Sequence, residues 1–241
     1  MKKKIFITGT SRGIGKALAE KLLEQDQICV EGFSRECTIS HPQYKHFTVD
    51  LTANHGLRNV SFQNDEQAQC LVLINNAGTL GEIDYIGRVS DESLEKGVYL
   101  NLTVPMVLTN RFLMTFETFQ GMLIIINISS GAAWNPYDGW GMYCATKAGL
   151  DMFAGVLAME LKIKQKKSVH IFSVAPGVVD TAMQDQIRAS NADGFSSLAK
   201  FQSLKQDGAL QDTHQVASRL IKLIQAPELY HDFKVDISHL S

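Results

Sequence analysis

"FITGTSRGIGKAL", residues 6–18, decides how the rest of the chain is read. An apolar run of strand character ends at Thr8 and meets three glycines within seven residues, Gly9, Gly13 and Gly15. An amphipathic segment follows at once, with Ile14, Leu18 and Leu22 at helical spacing. A strand that turns through glycines into a helix lets a ligand approach the backbone where a Cβ would block it. The positive end of the helix then stabilises an anion such as a diphosphate. A phosphate-binding turn is expected over Gly9, Ser11, Arg12, Gly13, Ile14 and Gly15. A glycine turn with no ligand is the alternative, and the strand before it and helix after it count against that. The spacing is GxxxGxG rather than GxGxxG, which points to one branch of such folds.

Outward from this turn, short apolar runs alternate with helical patterns. The strand candidates are "KIFIT", "ICVEGF", "KHFTV", "CLVLI", "GMLIIINI", "VHIFSVA" and "FKVDI". Seven strands with intervening helices predict an α/β fold: one Rossmann-type, doubly wound parallel sheet covered on both faces, in a single domain over 1–241. Residues 53–68 are poorly patterned and read as a short or irregular helix. The segment 90–116 reads as a long helix capped near Ser90 and disturbed around Pro105. Residues 143–164 are apolar on several sides, as in a helix buried by the sheet and by something else. The polar stretch 181–212, with scattered Met, Phe and Leu, reads as a lid before the last helix.

Composition narrows the functions available. A net charge of −2 and a pI near 6.4 give no electrostatic case for nucleic acid or an anionic membrane. No apolar run is long enough to span a bilayer. "MKKKIFITG" starts like a signal peptide, but Thr8 and Gly9 break its apolar run early. Cys29, Cys37, Cys70 and Cys144 lack metal or redox spacing and the histidines are scattered. Reduced thiols, no metal and a cytoplasmic location are the expectation.

Cofactor choice falls at the end of the second strand. An acid there, about twenty residues past the glycines, would bind a ribose 2′-hydroxyl. This chain has "GFSRE" at 32–36, with Ser34 and Arg35, and Arg12 inside the glycine turn. Glu31 falls within the strand and Glu36 beyond Arg35. Two guanidinium groups suit a 2′-phosphate, so NADP(H) is expected over NAD(H).

These features and three others resemble the short-chain dehydrogenase/reductase family, in its branch of about 250 residues. "TGTSRGIG" is similar to that family's TGxxxGxG, and "NNAG" at 75–78 to its adenine-side motif. "NISSGAAWNPYDGWGMYCATK" is similar to its Ser followed thirteen residues later by YxxxK. "PGVVDT" at 176–181 is similar to its nicotinamide-facing segment. The agreement runs in the family's order from residue 4 to about 183. The resemblance implies Tyr143 as acid/base and Ser130 polarising the substrate carbonyl. It implies Lys147 on the nicotinamide ribose, lowering the phenol pKa, and Asn101 anchoring a water in the proton relay. It also implies adenosine contacts at Asp50 and Leu51, and Asn76, Ala77 and Gly78 beside the cofactor. Pro176, Gly177, Val179 and Thr181 would face the nicotinamide.

Such a site suits carbonyl reduction. Hydride arriving at carbon leaves alkoxide character on oxygen, which a positioned phenol protonates while a hydroxyl donates to it. "NISSGAAWNPYDGWGMYCATKAGLDMF" and "APGVVDTAMQDQIR" are similar to the branch that reduces one carbonyl of a vicinal diketone, or a related pterin side chain, with NADPH. Gly131, Trp134, Tyr137 and Trp140 are candidate pocket walls. So are Met142, Met183 and Phe195, and Asp236 stands where that branch holds its pterin. Aromatic and methionine walls suit a flat apolar diketone. The alternatives are oxidation of a sugar alcohol or steroid, reduction of a 3-oxoacyl group, or nucleotide binding without turnover in a redox sensor. The resemblance further implies a homodimer, or a homotetramer, built on the helix from 143 and the one before it. Met152, Phe153, Val156 and Met159 are apolar residues of that helix beyond those a sheet can cover.

Overall fold

A computed structural model describes residues 1–53, 55–63, 65 and 67–240 of the chain. In strand β1 (Lys3–Thr8), Ile5 and Ile7 enter one apolar layer and Phe6 the opposite one, all fully buried. That alternation places β1 in the middle of a sheet with both faces covered. Strands β2 (Ile28–Ser34), β3 (Tyr44–Thr48), β4 (Cys70–Asn75), β5 (Met122–Ile128), β6 (Val169–Ala175) and β7 (Lys234–Asp236) complete it. All seven are parallel, as the strand pattern predicts, and they lie in the order β3-β2-β1-β4-β5-β6-β7. The order reverses between β1 and β4, and a doubly wound sheet opens a crevice at that point.

On one face, α1 (Gly13–Leu23) packs with α7 (Thr213–Gln225), burying Leu18, Leu22, Val216 and Leu220 against Ile5, Ile7, Val72 and Ile74. On the other, α3 (Val104–Thr115) and α4 (Gly141–Ile163) bury Leu108, Phe112, Ala154 and Leu157 against Phe6, Leu71 and Leu73. Phe6, Phe62 and Phe112 meet edge to face there, with ring centroids 5.1–6.1 Å apart.

The helix expected from Ser90 is divided before Pro105. Ser90 caps α2 (Asp91–Val98) by accepting from the Ser93 N–H. Tyr99–Thr103 wind as a π turn, and α3 starts at Val104. Pro105 has no N–H to donate to the Asn101 carbonyl four residues back, and the helix widens over that stretch. Within 53–68 the described residues hold one 3-10 turn, Gly56–Asn59, while 54, 64 and 66 lie outside the description. The stretch 181–212 carries α5 (Ala182–Arg188) and α6 (Leu198–Gln206). Hydrogen bonds that tie it to the rest include those from Gln186 Nε2 to the Gly81 carbonyl at 2.7 Å and two from Ser196 to the Asp138 carboxylate. No helix of the described residues is long and apolar enough to cross a membrane.

Candidate active site

A cleft of about 1040 Å³ opens where the strands end, running from the turn after β1 to the start of α4. At its first end, Gly9 (φ 77°) and Gly13 (φ 61°) hold the left-handed backbone that side-chain-bearing residues avoid. Gly15 is needed for a different reason: a Cβ there would lie 2.4 Å from Asn76 Nδ2. Asn76 in turn donates to the Thr8 and Gly9 carbonyls, at 2.9 and 3.1 Å, and so braces the turn. Its neighbour Asn75 bridges β4 to Asn127 and Thr109, a wholly structural task. Ser11, Arg12 and Ile14 line the cleft with these glycines, so the turn presents open backbone beside the first turn of α1. That cradle fits a dinucleotide diphosphate.

Ser34, Arg35, Asp50 and Leu51 form the adjoining wall. Arg12 and Arg35 are both exposed, and no described residue forms an ion pair with either. The acid of β2 is not available to a ribose, because Glu31 is buried and pairs with Lys4 Nζ at 3.0 Å. Ser34 is engaged within the protein, its hydroxyl lying 3.0 Å from His46 Nε2 and from the Glu36 carbonyl. Hydrogen bonds from the Thr52 hydroxyl and N–H hold the Asp50 carboxyl below its ordinary pKa.

At the far end, Tyr143 and Lys147 leave the first turns of α4 on one face, buried yet lining the cleft. Lys147 Nζ donates to the Ile128 carbonyl at 2.8 Å and stands 5.5 Å from the centre of the Tyr143 ring. Ser130 follows β5 and caps the turn Gly131–Ala133, its Oγ accepting from the Ala132 N–H at 3.1 Å. Burial pushes the Tyr143 phenol up to about 12, against the pull of its hydrogen bond with Ser130. Burial likewise pulls the Lys147 ammonium down to about 8, with Asp151 acting in the opposite direction. The lowered phenol pKa that the resemblance implies is therefore not produced by the chain's own groups. Desolvation of the phenol outweighs its hydrogen bond with Ser130.

Pro176, Gly177, Val179 and Thr181 also line the cleft, with Thr181 beside Gly13, and so do Ala77, beside Gly9, and Gly78. Asn101 sits inside the π turn, behind the cleft surface. Its side chain accepts from the Thr79 N–H and donates to the Thr79 carbonyl, at 2.9 and 2.8 Å. It thus fixes the loop after β4. A Cβ on Gly78 would fall 3.3 Å from Asn101 Oδ1 and 3.7 Å from Lys147 Nζ, so all three crowd one point.

Of the expected pocket walls, Gly131, Tyr137, Trp140 and Met183 line the cleft. Four others lie elsewhere. Phe195 is fully buried beneath Trp140, their rings stacked 5.1 Å apart. Met142 packs into the space beside Gly81 and Gly97 that their missing side chains leave. Trp134 turns away, its indole N–H donating to Asp151 at 2.6 Å. Asp236 caps the last turn by accepting from the Ser238 N–H. Helical and loop spacing alone does not reveal which side of a short turn faces inward. Phe201 of α6 and Ile187 of α5 also line the cleft and were not anticipated. Phe201 packs on Trp140 at 5.2 Å, a contact that joins residues sixty apart and leaves no local pattern. Among the described residues, no cluster of His, Cys, Asp or Glu could hold a metal ion.

Parallel order, glycine turn and the Ser–Tyr–Lys constellation define a nucleotide-dependent oxidoreductase of one family. Residues 3–192 match the model for short chain dehydrogenase, and the chain belongs to the short-chain dehydrogenase/reductase family. It is 37% identical over 236 residues to the (S)-benzoin-forming benzil reductase of Bacillus cereus, covering 93% of this chain and 94% of that one. It is 34% identical over 252 residues to the sepiapterin reductase of Mus musculus, covering 95% and 94%. The crystal structure of a short-chain dehydrogenase/reductase from Saccharomyces cerevisiae superposes with a TM-score of 0.83 at 26% identity, covering 98% of this chain and 96% of that one. The protein is thus an oxidoreductase of the class that interconverts C–OH and C=O groups.

Proposed function

We propose that the protein is an NADPH-dependent carbonyl reductase that reduces one carbonyl of a 1,2-diketone, with Tyr143 as proton donor. The observation that carries this reading is the convergence of Ser130, Tyr143 and Lys147 at the aromatic end of a cleft whose other end is the glycine turn. The glycine turn would hold the diphosphate, Arg12 and Arg35 a 2′-phosphate, and Lys147 the nicotinamide ribose. Pro176, Gly177, Val179 and Thr181 would hold the carboxamide, with Asp50 and Leu51 at the adenosine end. Bound there, the cofactor supplies the hydride and, once oxidised, a positive charge beside the phenol.

The chain's own residues do the rest. Ser130 Oγ donates to the carbonyl oxygen as charge develops on it. Tyr143, kept neutral by burial, gives that oxygen its proton, exchanging its hydrogen bond with Ser130 for the substrate oxygen that both hydroxyls then face. Lys147 is held by Ile128 in reach of the same point, and Asn101 steadies the loop beneath it. Tyr137, Trp140, Phe201 and Gly131 shape an aromatic-walled, open space that admits a flat diketone. The stretch 181–212 serves as the lid over this space, in one nucleotide-binding domain. The exposed Met152, Val156, Met159 and Ile163 of α4 form the face on which a second copy packs as a homodimer. Sedimentation as a monomer at micromolar concentration would count against that pairing.

The experiment is a substrate panel read by the absorbance of reduced nicotinamide. Benzil, phenyl-substituted diketones, sepiapterin and a 3-oxoacyl thioester, each with NADPH and with NADH, are set against a sugar alcohol and a hydroxysteroid, each with NADP+ and with NAD+. Faster NADPH oxidation with the diketones supports the proposal, and rates equal to the blank refute the substrate class. Strong preference for NADH refutes the arginine argument. Normal NADPH binding by a Tyr143→Phe variant whose activity is unchanged would favour the redox-sensor reading.

A further inference from the structure

Asp151 lies two turns beyond Tyr143 on α4, and it is 3% exposed. Its carboxylate receives three hydrogen bonds from three different parts of the chain. Oδ1 accepts from the Ser129 hydroxyl at 2.6 Å and from the Ser173 hydroxyl at 2.5 Å. Oδ2 accepts from the Trp134 indole N–H at 2.6 Å. None of these donors belongs to the cofactor or to the chemistry proposed above. A buried carboxylate is costly unless its lone pairs are filled, and here they are filled by charge-assisted bonds at short distance.

What matters is where the donors sit. Ser129 immediately precedes Ser130, and Trp134 immediately follows the turn Gly131–Ala133 that Ser130 caps. Asp151 therefore holds both ends of the six-residue segment Ser129–Trp134 that contains Ser130. It does so from the helix that carries Tyr143 and Lys147. Ser173 lies on β6, two residues before the strand's last residue and beside Asn127 of β5 in register. The third bond thus ties the same point to the strand that leads into Pro176–Thr181. The Lys147 bond to the Ile128 carbonyl ties the helix to the end of β5, but it lies before Ser130; the Asp151 bonds brace the segment on both sides of it. Trp134 supplies little apolar packing, being 43% exposed, so its indole is fixed through the N–H.

We infer that Asp151 is a positioning residue: by clamping Ser129 and Trp134 it sets Ser130 Oγ against the Tyr143 phenol, and through that pair it governs the rate of reduction. The inference rests on Ser130 and Tyr143 acting as proposed above. Catalytic hydrogen bonds are sensitive to displacement, and an error of about 1 Å can cost on the order of a hundred-fold. Asn in place of Asp keeps the shape but turns one acceptor oxygen into a donor. Either the indole N–H or the two hydroxyls then lose their acceptor.

The test measures kcat and KM for benzil with NADPH, NADPH affinity by fluorescence, and melting temperature. The variants are Asp151→Asn, Trp134→Phe and Ser130→Ala, with each of the first two combined with the third. Trp134→Phe keeps an aromatic ring there, deletes the single donor outside the core and decides the matter if Asp151→Asn does not fold. Expected are a fall in kcat of about ten-fold or more, NADPH affinity within two-fold of the parent, and almost no further loss in the Ser130→Ala background. Losses that multiply with that of Ser130→Ala, or a parental kcat in Trp134→Phe, would overturn the inference. A Ser130→Ala variant with full activity would instead overturn the assignment of Ser130 itself, so the two failures are distinguishable. A merely structural role would lower the melting temperature without giving this loss of additivity.

Discussion

Raising the pH should slow reduction, and Lys147 gives the magnitude. Its ammonium is buried against the Ile128 carbonyl and its pKa falls to about 8. A depressed lysine is charged below that value and neutral above it. About nine-tenths of the protein carries the charge at one unit below the pKa, and about one-tenth at one unit above. If the reduction step needs the ammonium, kcat/KM should fall about ten-fold between those two points. Tyr143 does not confuse this reading: its phenol, pushed up to about 12, remains a proton donor across the whole range. The assay is the initial rate of NADPH consumption with benzil at limiting substrate, across overlapping buffers of constant ionic strength. Lys147→Arg is the control, because a guanidinium stays charged throughout and should abolish the alkaline limb while lowering the rate. A profile flat well above the lysine pKa, or a rate of reduction that rises with pH, would refute the reasoning. The second result would mean that the phenolate is the working form in this direction.

Three further outcomes follow from the geometry. Arg35→Ala and Arg12→Ala should each weaken NADPH binding about ten-fold while leaving NADH nearly unchanged, since each removes charge-assisted bonds to a 2′-phosphate alone; titration of cofactor fluorescence measures both. Gly15→Ala should abolish or severely weaken nucleotide binding, because the added Cβ would meet Asn76 Nδ2 and the Gly9 carbonyl at 2.4 Å; calorimetric titration with NADPH reads this out. Phe195→Ala should destabilise the protein by about 3–5 kcal/mol, as for a large ring removed from a core. It should also raise KM for the diketone through loss of the ring stacked on Trp140, as denaturant unfolding and steady-state kinetics would show.

Local pattern carried most of the fold into the sequence. A parallel strand buried on both faces needs a continuous apolar run, and the glycine turn needs residues without Cβ, so both are visible in a few consecutive letters. Tyr143 and Lys147 are legible for the same reason, since one helical turn sets their spacing. Ser130 was reachable only through resemblance, because nothing local distinguishes it from Ser129. Tertiary structure separates the two: both line the cleft, but the Ser129 hydroxyl is committed to buried Asp151. It also decided which aromatics meet the cleft, taking Phe201 in and sending Trp134 and Phe195 elsewhere. The sequence by itself determined the sheet, the turn and the spacing of Tyr143 and Lys147, all products of short-range periodicity and steric need. What it could not determine were the contacts between distant segments, the Asp151 clamp and the aromatic walls, and the burial that raises the phenol. Those depend on where the chain returns to itself, and neither periodicity nor spacing encodes that.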